Sequence, residues 1–116
     1  MIRKLIGITA IYLSVSLCGL AQTERIVILH TNDTHSQMEP FAATHKTYGG
    51  LGGVMRRMAI IDSIRNAEPN VLLVDAGDAI QGTPYFNLFK GDAEFEAMNA
   101  MRYDIRTIGN LSLIHI

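Results

Sequence analysis

The sequence predicts an α/β protein with a parallel sheet, because short apolar runs alternate with longer stretches of helical periodicity. The first two apolar runs lead into the acidic residues Asp33 and Asp78, and the third leads into Gly109 and Asn110. A strand, a helix and a second strand form a right-handed unit whose strands are parallel. We therefore expect the carboxyl ends of all three strands to meet at one edge of the sheet, where α/β proteins bind their ligands.

The first strand is predicted at Ile26–Leu29, which is apolar throughout and too short for a helix with a distinct face. Such a run is typical of a strand buried on both sides. Asp33 and His35 follow it, separated by Thr34. In an extended segment, alternate side chains point the same way, so the carboxylate and the imidazole should face one point, as ligands of a metal ion would. A polar turn after the strand is the alternative interpretation.

A helix is predicted over residues 51–66, after an irregular loop at 37–48, and Pro69 follows its end. The glycines just before it lack the lysine and the serine or threonine of a phosphate-binding loop, so we interpret them as a flexible approach to the helix. The apolar side chains of the helix recur every three or four residues and are expected to pack in the core. They are Leu51, Val54, Met55, Met58, Ile61 and Ile64.

The second strand begins at Val71 and leads to Asp78, which stands behind Gly77. Glycine would permit a tight turn there and a close approach of the backbone to a bound ion. The loop is predicted to continue through Pro84. A second helix at 93–101, with Phe95, Met98 and Met101 on one face, and a third strand at 103–108 complete the predicted order.

Composition restricts the classes of function. The chain has 116 residues, of which 48% are hydrophobic and 18% charged, so it has room for one small globular domain. Ten basic and eleven acidic residues give a formal charge of −1, and nothing in this balance indicates binding to nucleic acid or to a membrane surface.

The amino terminus has the organisation of a secretory signal peptide. Residues 1–21 contain Arg3 and Lys4, then an uncharged run, then small residues before Gln22. We therefore expect a periplasmic or secreted protein. A membrane anchor is the alternative, but the run is shorter than the roughly 20 apolar residues that a span needs. Lipid attachment at Cys18 is disfavoured by the bulky Leu17, and removal of the segment would leave no cysteine for a disulfide.

The segments Leu29–His35, Gly77–Gly82 and Thr107–Asn110 resemble, in order, the first three signature blocks of one family. It is the secreted bacterial 5′-nucleotidase and UDP-sugar hydrolase family, at its amino-terminal metallophosphoesterase (calcineurin-like) domain. Residues 82–91 and 96–101 are also similar to the family. The resemblance implies the start of a four-layer α/β/β/α fold with parallel βαβαβ order.

The resemblance also implies a site with two divalent metal ions, such as Zn²⁺ or Mn²⁺, that hydrolyses nucleotides or other phosphate esters by attack of activated water on phosphorus. Asp33 and His35 would bind the first ion, Asp78 would bridge both, and Asn110 would bind the second and lie near the phosphate. This assignment agrees with chemistry, since a carboxylate can bridge two cations and imidazole and amide oxygen suit such metals.

The match to the family stops at Asn110. The family continues with a histidine and, three residues later, an aspartate that assist the reaction, but here Leu111 and Ile114 hold those places, so no catalytic side chain of that pair is retained. Residues 111–116 match the peptide that one reading frame of a transposase adapter would encode, which suggests a truncated gene joined to library sequence. A natural divergent tail is the alternative.

These observations predict three regions: a signal peptide at 1–21, a partial metallophosphoesterase domain at 22–110 and an aberrant tail at 111–116. The leading functional interpretation is the amino-terminal fragment of an exported phosphohydrolase acting on nucleotides, itself inactive. A non-catalytic binding module of the same fold, or a cyclic-nucleotide phosphodiesterase, is the alternative.

Overall fold

A computed structural model describes residues 23–113, without the side chain of Ser112. The predicted signal peptide at 1–21 and Ile114, in the predicted tail, lie outside the described residues. Three strands form one parallel sheet in the order β1-β2-β3, so the predicted α/β class and parallel order are confirmed. The strands are β1 (Val27–Thr31), β2 (Val71–Asp75) and β3 (Ile105–Arg106). The helices are α1 (Val54–Ala67), α2 (Pro84–Phe89), α3 (Asp92–Ala100) and α4 (Asn110–Leu113).

The register of β1 and β2 brings their carboxyl ends to the same level. The two strands pair from Val27 opposite Val71 to Thr31 opposite Asp75. The loops that follow them therefore leave the sheet side by side, and these loops carry the predicted metal ligands.

The core lies between one face of the sheet and the two connections. Ile61 of α1, Leu73 of β2 and Met101 after α3 are buried together, with Leu29 of β1 packed against them. Both connections thus cover the same face, as expected when successive parallel strands are added in one direction by crossovers of one hand. Within residues 23–113, none of the helices is long and apolar enough to cross a membrane.

The prediction that the first strand is buried on both sides is wrong for the described residues. Burial alternates along β1, and Ile28 is 62% exposed. The physical reason is that α1 and α3 pack on the face of Leu29 and Leu73, which leaves the face of Ile28 without a covering layer among residues 23–113. The strand also begins and ends later than predicted, at Val27 and Thr31.

The first helix starts three residues later than predicted. Leu51 lies instead in the preceding loop, where its carbonyl oxygen accepts a hydrogen bond from the Phe41 N–H at 2.8 Å. Gly53, with φ +84°, precedes the helix, and a Cβ there would come within 2.8 Å of the Pro40 nitrogen. Ile61 is buried as predicted, whereas Met55 is exposed and is not part of the core.

The segment between β2 and β3 contains a helix that was not predicted. Residues 84–89 form α2, and Pro84 stands in its first turn, a common place for proline because its fixed φ suits the start of a helix. The Tyr85 hydroxyl donates to Glu39 Oε1 at 2.8 Å, which ties α2 to the loop after β1. This hydrogen bond to a carboxylate raises the pKa of the Tyr85 phenol above its usual value.

The second predicted helix corresponds to α3, and its buried face differs in one position. Met98 and Met101 are buried, whereas Phe95, which was predicted on the same face, is exposed, and Glu94 is buried. The Arg106 guanidinium lies over the Phe95 ring at 5.1 Å, so the ring packs beside β3.

The third strand is much shorter than the predicted 103–108. Only Ile105 and Arg106 pair with β2. Before them, Asp104 bonds to Leu73 through both its backbone and its side chain. The Asp104 N–H donates to the Leu73 carbonyl oxygen at 2.9 Å, and the Leu73 N–H donates to Asp104 Oδ2 at 2.8 Å. After them, the Thr107 N–H still reaches the Asp75 carbonyl oxygen at 3.2 Å, so the chain follows β2 toward Asn110.

Candidate metal centre

The loops after β1 and β2 are joined by backbone hydrogen bonds beyond the ends of the strands. The Asp33 N–H donates to the Gly77 carbonyl oxygen at 2.9 Å, and the His35 N–H donates to that of Asp78 at 3.0 Å. The Ser36 N–H continues the series to Ala79 at 2.9 Å. These bonds fix the loop of Asp33 and His35 against the loop of Asp78.

The side chains of Asp33, His35 and Asp78 converge at this edge of the sheet. Each offers a ligand atom, and the three atoms lie within 4.8 Å of one another. His35 Nε2 is 3.6 Å from Asp33 Oδ1. Asp33 is exposed, His35 is half-buried and Asp78 is buried, so the group opens to solvent on one side. Two carboxylates and an imidazole are a donor set that fits divalent ions such as Zn²⁺ and Mn²⁺.

The backbone at this site is not extended, and the predicted reason for the convergence is therefore wrong. Asp33 and His35 have φ of 51° and 45°, in the left-handed region. Asp78 has φ of 52°. Residues other than glycine adopt this backbone conformation at a cost of order 1–3 kcal/mol each, and such strain is concentrated at functional sites. The backbone hydrogen bonds between the two loops hold these residues in it.

Neighbouring N–H groups orient both carboxylates. Asn32 Nδ2 donates to Asp33 Oδ2 at 2.6 Å, on the oxygen opposite the one nearest His35. The Leu111 backbone N–H donates to Asp78 Oδ1 at 2.9 Å. Charge-assisted bonds of this kind restrict the rotation of a carboxylate. The sequence analysis gave no role to Asn32 or to the Leu111 N–H. The role of Asn32 could have been inferred, because it is a polar residue directly before Asp33.

The segment of Gly109 and Asn110 passes close to Asp78. Gly109 lies so near the Asp78 carboxylate that a Cβ on Gly109 would overlap it. Asn110 is the next residue and is exposed at the start of α4. The backbone around the fourth predicted ligand therefore passes next to Asp78. Leu111, the position at which the resemblance implies a histidine, donates its backbone N–H to Asp78.

Gly77 also has a conformational role that agrees with its predicted tight turn. Its φ is +110°, and a Cβ would come within 3.0 Å of the Gly109 Cα and N. Glycine is required here both for its dihedral angle and for the close approach of the chain after β3. This approach brings the chain after β3 to the loop of Asp78.

Comparison with known proteins shows that the chain is similar to 5′-nucleotidases. No protein-family model matches the chain. Human 5′-nucleotidase is 46% identical over 89 residues, which cover 73% of this chain and 16% of that protein. The crystal structure of a 5′-nucleotidase precursor from Thermus thermophilus matches 73% of this chain and 17% of its own, with 41% identity and a TM-score of 0.66. Over most of its length the chain is homologous to the 5′-nucleotidases.

A structure from a second group gives the same fold. A calcineurin-like phosphoesterase from Bacillus subtilis is 33% identical, with a TM-score of 0.59 over 74% of this chain and 29% of that one. Similarity to phosphoesterases of this type implies the use of divalent metal, and the family as a whole is one of nucleotide phosphohydrolases. The chain spans 16% to 18% of the length of its 5′-nucleotidase relatives.

Proposed function

We propose that this chain is the amino-terminal part of an exported, metal-dependent phosphohydrolase that acts on nucleotides. The observation that carries the proposal is the convergence of Asp33, His35 and Asp78 within 4.8 Å at the carboxyl edge of the sheet. It occurs in a chain that is 46% identical to a 5′-nucleotidase over most of its length. Residues 1–21 would be the signal peptide and 22–110 the first part of the metallophosphoesterase domain.

The residues would divide between two divalent ions. Asp33 and His35 would hold the first ion, Asp78 would contribute to both, and Asn110 would hold the second and contact the phosphate. When bound, the two ions supply Lewis-acid stabilisation to the oxygens of the phosphate ester. Asn32 and the Leu111 N–H hold the two carboxylates in orientation through bonds of 2.6 Å and 2.9 Å.

The isolated chain itself should lack useful activity. Asp33, His35, Asp78 and Asn110 are too few to fix the geometry of two ions, because such sites depend on the number and placement of ligands. Leu111 and Ile114 also occupy the places of side chains expected to assist the reaction. A positioned general acid typically contributes about 10²–10⁴-fold to a rate, so its loss alone would be severe.

A non-catalytic binding module is the second candidate, and Leu111 is the observation that favours it. A leucine has no group that can donate or accept a proton. If residues 111–116 are native, the site could hold metal or a phosphate ester without turnover. The gene downstream of the Asn110 codon distinguishes the candidates. A histidine codon there in an intact clone supports the enzyme, and a leucine codon supports the binding module.

The direct test uses the full-length protein. It is stripped of metal with a chelator and assayed for phosphate release from AMP, from a UDP-sugar and from a cyclic nucleotide, before and after addition of Mn²⁺ or Zn²⁺. We expect hydrolysis of AMP that depends on the added ion. Equal activity in the stripped and the reloaded protein would contradict the metal-dependent proposal. Hydrolysis of the cyclic nucleotide alone would show that the substrate is a cyclic nucleotide and not AMP or a UDP-sugar.

A further inference from the structure

Asp75, the last residue of β2, is a buried carboxylate three residues before Asp78 of the candidate metal centre. It is 4% exposed. Thr31 Oγ1 donates to its Oδ2 at 2.6 Å, and the Gly77 N–H donates to its Oδ1 at 2.9 Å. Burial of a carboxylate is costly unless its oxygens accept hydrogen bonds, so both contacts are needed for the fold of this edge.

The direction of the network follows from the carboxylate. Because a carboxylate only accepts hydrogen bonds, the Thr31 hydroxyl donates its single hydrogen to Asp75. The Tyr103 hydroxyl, 2.9 Å from Thr31 Oγ1, is then the donor in that pair. A chain of hydrogen bonds thus runs from Tyr103 to Thr31 to Asp75, and it joins the segment before β3 to the ends of β1 and β2.

Gly77 connects this network to the metal ligands. Its N–H is held by the Asp75 carboxylate, and its carbonyl oxygen accepts the hydrogen bond from the Asp33 N–H. The Ala76 N–H also donates to the Thr31 carbonyl oxygen at 2.8 Å. The N–H and the carbonyl oxygen of Gly77 belong to two successive peptide units that meet at its Cα. Displacement of this residue would therefore disturb the contact with Asp75 and the acceptor of Asp33 together.

We propose that Asp75 is a positioning residue that fixes the loops after β1 and β2 in the register at which Asp33, His35 and Asp78 meet. This inference rests on the proposed function, because it concerns the same site. Asp75 does not reach the metal in this assignment. It acts through its hydrogen bonds with Gly77 and Thr31. The hydrogen bond between Thr31 and Tyr103 connects it to the chain that leads to β3.

The test compares two substitutions of the same kind in the full-length protein. Asp75→Asn retains the shape of the side chain but directs an amide N–H₂ at one of two donors, the Thr31 hydroxyl or the Gly77 N–H. Asp104→Asn is the matched control, since Asp104 also accepts a backbone N–H of β2, at Leu73, but lies away from the loops. Both are measured for thermal stability, for Mn²⁺ affinity by calorimetric titration and for hydrogen exchange at individual amides.

We expect Asp75→Asn to weaken Mn²⁺ binding by about 10–100-fold, as loss of an outer partner typically does, and to speed exchange at the Asp33 amide. Asp104→Asn should lower stability without either change. Thr31→Val, which keeps the side-chain volume, should reproduce the loss of affinity if Asp75→Asn fails to fold. Equal Mn²⁺ affinities for Asp75→Asn, Thr31→Val and the unsubstituted protein would overturn the inference.

The two proposals fail in different ways. If the unsubstituted protein binds neither Mn²⁺ nor Zn²⁺, the proposed function is overturned, and amide exchange alone decides the role of Asp75. If the protein binds Mn²⁺ and the Asp33 amide exchanges at the same rate in Asp75→Asn and Asp104→Asn, the proposed function stands and the positioning role is overturned.

Discussion

At the scale of single residues, Gly109 is the position where the site tolerates least change. A Cβ on this residue would overlap both the carboxylate and the backbone nitrogen of Asp78. We predict that Gly109→Ala in the full-length protein moves the Asp78 carboxylate and lowers Mn²⁺ affinity, because a ligand must be held close to its productive position. Calorimetric titration with Mn²⁺ measures the effect.

Gly50→Ala is the control for this substitution. Gly50 has φ +70°, and a Cβ there would meet no heavy atom within 4 Å. It therefore introduces strain of the backbone without displacing a ligand, and Mn²⁺ affinity should be unchanged. Equal losses of affinity in the two variants would show that the closeness of Gly109 to Asp78 has no part in binding.

The positions of Asp33, His35 and Asp78 near one another were predictable from the sequence, because parallel strands place the residues after them at a common edge. Their conformation was not predictable. The left-handed φ of Asp33, His35 and Asp78 is maintained by backbone bonds between loops more than forty residues apart in sequence. The burial of Asp75 was equally hidden, since an acid at the end of a strand is expected at the surface.

At the scale of elements, the sheet carries an apolar face that the described helices do not cover. Ile28 of β1 and Ile105 of β3 are 62% and 59% exposed on that face. The four-layer arrangement implied by the family would place a second sheet there. In the isolated chain beginning at Gln22, we predict that Ile28→Thr with Ile105→Thr increases the soluble fraction, because threonine retains the preference for a strand and reduces the apolar patch.

The same pair of substitutions should act oppositely in the full-length protein. Covering this face would bury both side chains, and each is worth roughly 1.5–3 kcal/mol when fully buried, so the melting temperature should fall. Ile60→Thr is the control, since Ile60 is 62% exposed on α1. A full-length protein whose stability is unaffected by the Ile28 and Ile105 substitutions would contradict the covering sheet.

The order of the three strands, α1 and α3 was predicted correctly, whereas α2 and α4 were not predicted. The limits of the predicted elements depended on contacts that no local pattern reports. Periodicity gave α1 and α3, but β3 is short, and the Asp104 side chain before it accepts the Leu73 N–H of β2. Likewise, its spacing places Phe95 on one face with Met98 and Met101, whereas the ring is exposed and packs with Arg106. The start of α2 had a readable signal in Thr83 and Pro84, which the interpretation as a loop did not use.

At the scale of the whole molecule, residues 1–21 lead to a prediction about export. Expressed from Met1 in a bacterium with a secretion pathway, the protein should be cleaved near Ala21, because a basic start, an apolar run and small residues are the features that signal peptidase requires. Intact-mass analysis of the exported protein measures the site. A retained amino terminus in the membrane fraction would instead favour an anchor.

In the proposed function, Asp33, His35, Asp78 and Asn110 contribute ligands to two divalent ions in the full-length protein, with Asp78 shared between the ions. Asp78→Ala should then weaken both ions, whereas Asn110→Ala should weaken one. The most direct measurement is phosphate release from AMP by the full-length protein, titrated with Mn²⁺, for the two variants beside the unsubstituted enzyme. We predict a larger loss of activity for Asp78→Ala, which added Mn²⁺ restores less completely than it restores Asn110→Ala. Unchanged activity in Asp78→Ala would contradict the shared two-ion site.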